Sequence, residues 1–262
     1  MRSRLIGSGI VLAAACLALP ACGRPAGRSS SNVRLLDDLV TANRILAHER
    51  IVDGYGHVSA RSADAPDRFF LARAMAPGIV TIADLVEYDL AGEPIGKPPG
   101  DSYAERFIHA EIYRSRPDVR AVVHGHLPSV IPFADSDVAM RPMYHMSGFL
   151  AGGVPVFDIR DVEGVRGMLV TDARLGQALA RTLGSAPVLL MRGHGAVIVG
   201  GSLSAAVSRS VYLDLNARMQ AQAIALGGTV KYLESEDDPE ARRDAGTYDR
   251  NWEFWKQQAL GK

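Results

Sequence analysis

Two histidines separated by a single residue are the first candidates for chemistry in this chain. His124 and His126 end a short apolar stretch, residues 121–126, that is typical of a buried strand. Side chains two positions apart in a strand point to the same face, so these imidazoles could hold one cation. Metal sites that do chemistry usually have three protein ligands and an open position. The best candidate for the third ligand is His194, which lies between two glycines at another strand end.

A second pair of residues suited to ligand or acid/base chemistry precedes this motif. Glu105 and His109 lie four residues apart in a predicted helix that ends near Ser115, so they share one helix face. They could be two further metal ligands, or one catalytic acid beside a buried histidine. Their spacing leaves both interpretations open.

The elements that must position these residues alternate between strands and helices. Hydrophobic periodicity and turn residues predict strands at 57–61, 68–72, within 81–90, and at 121–126, 154–159, 188–191 and 196–199. The same patterns predict helices at 33–51, from Asp101 or Ser102 to 115, at 171–183, at 203–226 after the cap Ser202, and in the tail beyond Pro239. Their order predicts an α/β fold: a single three-layer α/β/α domain, residues 33–262, around a largely antiparallel central sheet.

The composition and charge of the chain bear on the kind of partner it binds. The chain has 262 residues, 47% of them hydrophobic, with 29 acidic and 29 basic residues. This balance gives no support for binding nucleic acid or an acidic membrane surface, so the expected partner is a small-molecule substrate. Both cysteines, Cys16 and Cys22, lie near the N-terminus. A metal site in the domain must therefore use histidine and carboxylate ligands.

The N-terminus has the features of a targeting segment. Residues 1–22 combine a basic start with an apolar run at 5–19 that is too short for a stable membrane-spanning helix, as in a signal peptide. They end in Leu-Pro-Ala-Cys, which resembles a bacterial lipobox and would make Cys22 a lipid anchor. Residues 23–32 are predicted to be a flexible tether. The expected location is the cell envelope or periplasm, and the alternatives are plain secretion or a cytoplasmic protein with a later start.

The sequence from Glu105 onward carries the motifs of a known family. Glu105 is followed by HAEIYRSRPDVRAVVHGH, and RGHGAVIVGG comes later in the chain. These motifs resemble the class II aldolase/adducin family, which includes fuculose-phosphate aldolase, ribulose-phosphate epimerase and several metal-dependent decarboxylases. The resemblance extends over residues 35–227 and implies the fold of that family and a homotetramer.

The resemblance also implies roles for individual residues. It places a divalent cation on His124, His126 and His194 and makes Glu105 the acid/base, while His109 becomes a structural histidine. Zinc is the favoured ion, with manganese, iron(II) or cobalt as alternatives, since imidazole suits all of them. The implied reaction is cleavage of a carbon–carbon bond, in which the cation stabilises the developing enolate and Glu105 moves the proton.

Three departures from the family pattern argue against a sugar phosphate as the substrate. Phosphate-using members carry Gly-Asn-x-Ser-x-Arg, a Thr-Gly turn and two serines before the glutamate. This chain has GHVSAR at 56–61, Ala-Pro-Gly at 76–78 and Tyr-Ala at 103–104. A phosphate cradle needs hydroxyl, amide and backbone N–H donors, and most of those side chains are replaced here. We therefore expect a non-phosphorylated hydroxy or oxo acid.

Other residues in these regions are candidates for substrate binding and catalysis. His57 and Ser59 are predicted to bind substrate, as is Arg73, which could clamp a carboxylate through two hydrogen bonds. The stretch RPMYHM supplies Tyr144 and His145 as catalytic candidates, because in the aldolases this region gives a tyrosine that reaches a neighbouring subunit's site. GHVSAR and RPMYHM together resemble the branch that decarboxylates hydroxylated pyridine or benzene carboxylates. Alternatively, Arg73 is a solvated surface residue, and Tyr144 and His145 form an ordinary subunit interface.

The sequence thus predicts a metal-dependent lyase, either an aldehyde-lyase or a carboxy-lyase. Two alternatives remain. One is a sugar-phosphate aldolase or epimerase, and the other is a non-catalytic adducin-like binding module that keeps a metal for stability.

Overall fold

The computed structural model describes residues 30–234 and 248–261. The predicted signal peptide, with Cys22, and most of the predicted tether lie outside these residues. Residues 30–32, predicted as tether, instead begin helix α1, Ser30–His48. Asn32 gives the reason: it is buried, and its side-chain amide donates to the Asp64 carboxylate at 2.7 Å, which holds this first turn on the domain.

The middle of the fold is a seven-stranded sheet. Its strands are β1 His57–Arg61, β2 Arg68–Ala72, β3 Leu85–Asp89, β4 Ala121–Gly125, β5 Val156–Phe157, β6 Val188–Met191 and β7 Gly195–Gly200. They lie in the order β3-β2-β1-β4-β7-β6-β5, and every neighbouring pair is antiparallel except β5 and β6. The prediction of an α/β domain around a largely antiparallel sheet is confirmed.

Helices cover both faces of this sheet. Besides short 3₁₀ turns, the other helices among the described residues are α2 Arg106–Ser115, α3 Ile131–Ala134, α4 Ala173–Leu183, α5 Leu203–Leu226 and α6 Asp249–Ala259. Helices α2 and α4 pack against each other on one face, and α1, α5 and α6 pack together on the other. Within the two described ranges, no helix has the length and apolar character needed to cross a bilayer.

Helix α2 begins later than predicted, with Glu105 as its N-cap. Asp101 and Ser102 do not cap it, because other elements hold them. The Asp101 carbonyl accepts the Ala74 N–H at 2.7 Å, and Ser102 Oγ accepts the Tyr88 hydroxyl at 2.8 Å. Glu105 therefore stands at the start of the helix, where its carboxylate can reach residues of other elements.

The strand predicted at 154–159 is reduced to the two residues of β5. Asp158 ends it, because its side chain accepts the Arg160 N–H and caps a 3₁₀ helix, Ile159–Asp161. The other predicted strands and helices are present, with ends that differ by at most a turn, and the predicted tail helix is α6.

Pairing at the centre of the sheet brings distant residues together. In the β4–β7 register Gly125 lies opposite Ala196, so His194, the residue before β7, lies beside the end of β4 and its His124. The approach is close, since a Cβ on Gly195 would lie 2.2 Å from the Gly125 carbonyl oxygen.

Helices α2 and α4 make a similar close approach at Gly176. A Cβ there would lie 2.5 Å from the Phe107 carbonyl oxygen and 2.9 Å from Glu111 Cγ. Contacts this short leave no room for a larger side chain. Helix α4 thus presses on the first turns of α2 and fixes the helix that begins after Glu105.

Gly195→Ala should lower the free energy of unfolding by about 1–3 kcal/mol, because the added methyl group meets backbone atoms that cannot rotate away. Urea unfolding measures the change. Gly152→Ala is the matched control, since nothing lies within 4 Å of a Cβ at that position, and its unfolding free energy should stay within about 0.5 kcal/mol of the wild type. Equal stability of the two variants would contradict the close approach of β4 and β7.

Candidate metal centre

Four side chains converge where the start of α2 meets the ends of β4 and β7. One ligand atom from each of Glu105, His124, His126 and His194 lies within 4.8 Å of the other three. Glu105 Oε2 is 3.6 Å from His124 Nε2 and 3.5 Å from His194 Nε2. The structure thus brings the three predicted ligands and the predicted acid/base into one group, which we call the histidine–glutamate cluster.

Each imidazole of the cluster is oriented by an acceptor on its Nδ1 side. The pairs are His124 with the Ala196 carbonyl at 3.1 Å, His194 with the Met168 carbonyl at 2.9 Å, and His126 with the Asp53 carboxylate at 3.4 Å. Carbonyl and carboxylate oxygens accept hydrogen bonds, so each Nδ1 carries the hydrogen and each Nε2 keeps its lone pair. Histidines that bind metal through Nε2 are typically held in this way.

The burial of His124 supports a cation in the cluster. Its Nε2 is buried and has no hydrogen-bond partner among the described residues. A buried polar atom without a partner is costly, and a lone pair facing two other imidazoles and a carboxylate is suited to a divalent ion. The four residues therefore fit the predicted metal. The exposed fraction of the side chain rises from 0% at His124 to 25% at His126, so the cluster opens to solvent on the His126 side.

The charges in the cluster are set by burial and by pairing. Burial alone would raise the pKa of Glu105, but the nearby imidazoles of His194 and His124 and the Val170 N–H favour the charged carboxylate and lower this pKa to about 2. Burial lowers the pKa of His124 to about 4, against the opposing effect of the Glu105 carboxylate. At neutral pH Glu105 is thus a carboxylate and His124 is a neutral imidazole.

The two oxygens of Glu105 have different partners. Oε1 accepts the Val170 N–H at 2.9 Å, whereas Oε2 faces His124 and His194. One oxygen therefore fixes the carboxylate, and the other is placed to take or give a proton.

A cavity of about 390 Å³ lies beside the cluster. Its lining combines two members of the cluster with one further imidazole and mainly apolar or small residues. They are Gly54, Tyr55, His57, Ala74, Met75, Tyr103, Ala104, Glu105, His126 and Leu169. A cavity with such walls favours a flat, largely apolar ligand with a few polar groups.

The predicted substrate residues His57 and Ser59 are placed differently. His57 lines the cavity, and its ring centroid is 5.0 Å from that of His124. Ser59 is fully buried and contacts His109 and Tyr113. The structure therefore gives Ser59 no direct contact with a ligand in this cavity.

Arg73 lies next to the cavity but does not line it. Its Nε pairs with the Asp84 carboxylate at 2.8 Å, whereas the following residues, Ala74 and Met75, reach the cavity wall. In this conformation the guanidinium is neutralised by Asp84, so the structure does not bring the predicted carboxylate clamp to the cluster.

Tyr144 and His145 lie against α5, and no contact in the described part of the chain joins them to the cluster. The Tyr144 ring centroid is 6.2 Å from that of Tyr212, and its hydroxyl is buried without a hydrogen-bond partner there. Their predicted catalytic role within one chain thus has no structural basis, and a role in a neighbouring subunit's site stays a prediction.

The groups that orient the cluster were not predicted from the sequence. Asp53 lies in the turn between α1 and β1, and the Met168 carbonyl and Val170 N–H belong to a loop with no motif. Backbone groups carry no sequence signal, so only Asp53 could have been found, as a carboxylate in a turn beside a strand.

Known proteins resemble this chain along most of its length. The family model of the class II aldolase and adducin N-terminal domain matches residues 37–221. The decarboxylase tropJ of Talaromyces stipitatus is 38% identical over 201 residues, which cover 71% of this chain and 75% of that protein. The 3,4-dihydroxyphthalate decarboxylase of Arthrobacter keyseri is 32% identical over 225 residues, or 80% of this chain and 87% of that enzyme.

A solved structure supports the fold. An aldolase II superfamily protein from Pseudomonas syringae superposes with a TM-score of 0.76 and 24% identity, covering 90% of this chain and 95% of that one. At this level of identity the likeness concerns the fold alone.

The purified domain should contain about one divalent ion per chain, because the cluster offers three imidazole lone pairs and a carboxylate. Elemental analysis of the wild type and of His194→Ala tests this, and the variant should lose the ion. His48→Ala, which removes an exposed histidine at the end of α1, is the control and should keep it. A wild-type protein that takes up no divalent ion on reconstitution would refute the site.

Proposed function

Because this chain belongs to the class II aldolase and adducin family, we propose that it is a divalent-metal-dependent lyase that removes a carboxyl group from a hydroxylated aromatic acid. Two of its relatives carry decarboxylase in their names, and one of these acts on a dihydroxyphthalate. Carbon–carbon cleavage of another non-phosphorylated hydroxy or oxo acid is the broader form of the same proposal.

The observation that carries this proposal is the position of the histidine–glutamate cluster at one wall of a mainly apolar cavity. Met75, Tyr103 and Leu169 offer flat or apolar contact area. Such walls suit an aromatic ring, whereas a sugar phosphate would need several donors for its anionic group.

A divalent ion held by His124, His126 and His194 would supply positive charge that draws electron density onto a substrate oxygen as the carbon–carbon bond breaks. The chain itself manages the proton. In a decarboxylation CO2 leaves, and the electron pair left on the ring carbon takes up one proton that comes ultimately from solvent. Glu105 is placed for this transfer, since Val170 fixes Oε1 and leaves Oε2 facing the reacting region.

The apolar lining has a second effect. A ligand that fills the cavity displaces water from the side of Glu105 that faces it, and polar interactions inside strengthen as the local dielectric constant falls. Glu105 and His126 are the cluster members on the cavity wall, so substrate oxygens are expected near these two residues.

Glu105→Gln should lower turnover of 3,4-dihydroxyphthalate or 2,3-dihydroxybenzoate by about 100-fold or more, because the amide cannot carry the proton. Release of CO2 is the measurement, and the metal content should be retained. Glu253→Gln, at an exposed position of α6, is the control and should match the wild type.

Two outcomes would favour the alternatives. Comparable turnover of L-fuculose 1-phosphate would indicate a sugar-phosphate aldolase. A metal-loaded wild type without activity on any acid or sugar phosphate would indicate an adducin-like binding module.

We also propose a homotetramer in which Tyr144 and His145 reach a neighbouring subunit's site. Their segment packs on α5, where Ser147 Oγ donates to Asn216 at 2.7 Å, and the adjacent Leu215 is 42% exposed. Ile224 and Leu226 of the same helix are also exposed, and several exposed apolar residues on one helix favour an interface.

Light scattering should therefore give about four chains per particle, and Leu215→Glu should lower that number because it buries a charge at the interface. His145→Ala should keep the tetramer but reduce turnover. A monomeric wild type would contradict both statements.

A further inference from the structure

A line of buried side chains runs from the cavity into the space between β1 and α2. His57 Nδ1 lies 2.7 Å from His109 Nε2, His109 Nδ1 lies 2.6 Å from Ser59 Oγ, and Ser59 Oγ lies 2.8 Å from Tyr113 Oη. All four residues are at most 2% exposed. We call them the His57–Tyr113 chain. The proposed proton transfer at Glu105 uses none of them.

Each link is 2.6–2.8 Å long and therefore holds a single hydrogen between its two heavy atoms. Both imidazoles are buried and hydrogen-bond only to neutral side chains among the described residues, so both are neutral. A neutral imidazole has one N–H and one lone pair. A Ser59 hydroxyl that accepted at both of its contacts would leave its own hydrogen buried without a partner. The donor at one link therefore fixes the donor at every other link, and the chain can point in only two directions.

The inner end selects the direction. Ser59 Oγ is the one side-chain partner of the Tyr113 hydroxyl among the described residues. Arg61, whose guanidinium carbon lies 4.7 Å from the ring centroid, has only donors and cannot accept the phenol hydrogen.

Only one assignment of donors and acceptors in the His57–Tyr113 chain gives every hydrogen an acceptor. If Ser59 donated to Tyr113, the phenol hydrogen would be buried without a partner, which folded proteins avoid. Tyr113 therefore donates to Ser59, Ser59 donates to His109 Nδ1, and His109 Nε2–H donates to His57 Nδ1.

The outer end of the chain faces the cavity. His57 lines it, and because its Nδ1 accepts from His109, its hydrogen is on Nε2. No described residue is within hydrogen-bond distance of that nitrogen, so its N–H is available to a ligand. The rings of Tyr103, His109 and His124 lie 4.6, 4.8 and 5.0 Å from the His57 ring, centroid to centroid, and hold it in place.

We propose that Tyr113, Ser59 and His109 are positioning residues that fix His57 as a neutral Nε2–H donor facing the substrate cavity. This donor selects ligands that present an oxygen acceptor, above all a carboxylate, beside the histidine–glutamate cluster. A neutral donor adds no positive charge next to the cation ligands, as an arginine or a protonated histidine would. The nature of the ligand rests on the proposed function, whereas the orientation of His57 does not.

The tautomer of His57 can be measured on the resting, full-length protein. Spectra that correlate ring protons with labelled histidine nitrogens distinguish Nε2–H from Nδ1–H, and His57→Asn identifies the signal. The wild type should show Nε2–H alone. Tyr113→Phe and Ser59→Ala each remove a hydrogen that orders the chain, so a population with Nδ1–H should appear. Tyr88→Phe is the matched control, since Tyr88 is an equally buried phenol that donates to Ser102 outside the chain.

Ligand binding tests whether the His57 Nε2–H selects ligands that carry a carboxylate. The probes are 2,3-dihydroxybenzoate and catechol, which share a ring and two hydroxyls and differ in the carboxylate. Calorimetry is done on zinc-loaded protein carrying Glu105→Gln, which suppresses turnover of the probe. In that protein, adding Tyr113→Phe or Ser59→Ala should weaken binding of dihydroxybenzoate roughly tenfold, as expected for loss of one hydrogen bond to a charged group. Binding of catechol should change less than about twofold.

Three results are decisive. A wild-type His57 with its hydrogen on Nδ1, or a Tyr113→Phe spectrum equal to that of Tyr88→Phe, overturns the proposal whatever the substrate is. Equal weakening of both probes overturns the selection of a carboxylate. Failure of the proposed function looks different, because no hydroxylated aromatic acid would be turned over while the His57 tautomer stayed as described.

Discussion

The burial of the His124 imidazole is the constraint from which the rest of the site follows. The ring is fully buried on β4, and its Nδ1 is committed to the Ala196 carbonyl of β7. Its Nε2 then holds a lone pair where water does not reach, and such an atom needs a positive partner. Glu105, His126 and His194 converge on the same point and complete a group of side chains suited to a cation. The close approach of β4 and β7 at Gly195 makes this convergence a property of the backbone.

The ionisable groups of the site lie in the histidine–glutamate cluster, and the apolar surface lies in the cavity next to it. The cluster concentrates the ionisable groups, and Glu105 is its one carboxylate. The cavity next to it is mainly apolar, and the imidazole that lines it from β1, His57, is neutral. A ligand entering this space loses water from its apolar face and meets polar groups at one edge. The site therefore favours a substrate that has an apolar ring and carries its polar groups along one edge.

The sequence predicted the cluster because its members carry local signals, whereas the surroundings depend on contacts between distant segments. His124 and His126 end a strand, and His194 lies between glycines. Residue types that can bind a metal therefore occur at positions that the local sequence pattern already marks. The predicted start of α2 was wrong because the two expected cap residues have other partners: the Asp101 carbonyl accepts the Ala74 N–H, and Ser102 Oγ accepts the Tyr88 hydroxyl. Ser59 and Arg73 were chosen by residue type. Ser59 shares a sheet face with His57 but lies two residues further along β1, where His109 and Tyr113 cover it, and Arg73 pairs with Asp84. No periodicity reveals such partners.

Helix α2 carries three functional groups on one face, at its N-cap and one and two turns further on. Glu105 serves the cluster, His109 sets the orientation of His57, and Tyr113 ends the same line of hydrogen bonds. Gly176 of α4 locks this helix in place. Any slide or rotation of α2 would therefore move the proposed proton-transfer group and the proposed donor to the substrate together. A change of substrate is consequently expected to come from the loops that form the cavity wall, at Met75 and Leu169, where a substitution changes the shape of the cavity and leaves the histidine–glutamate cluster intact.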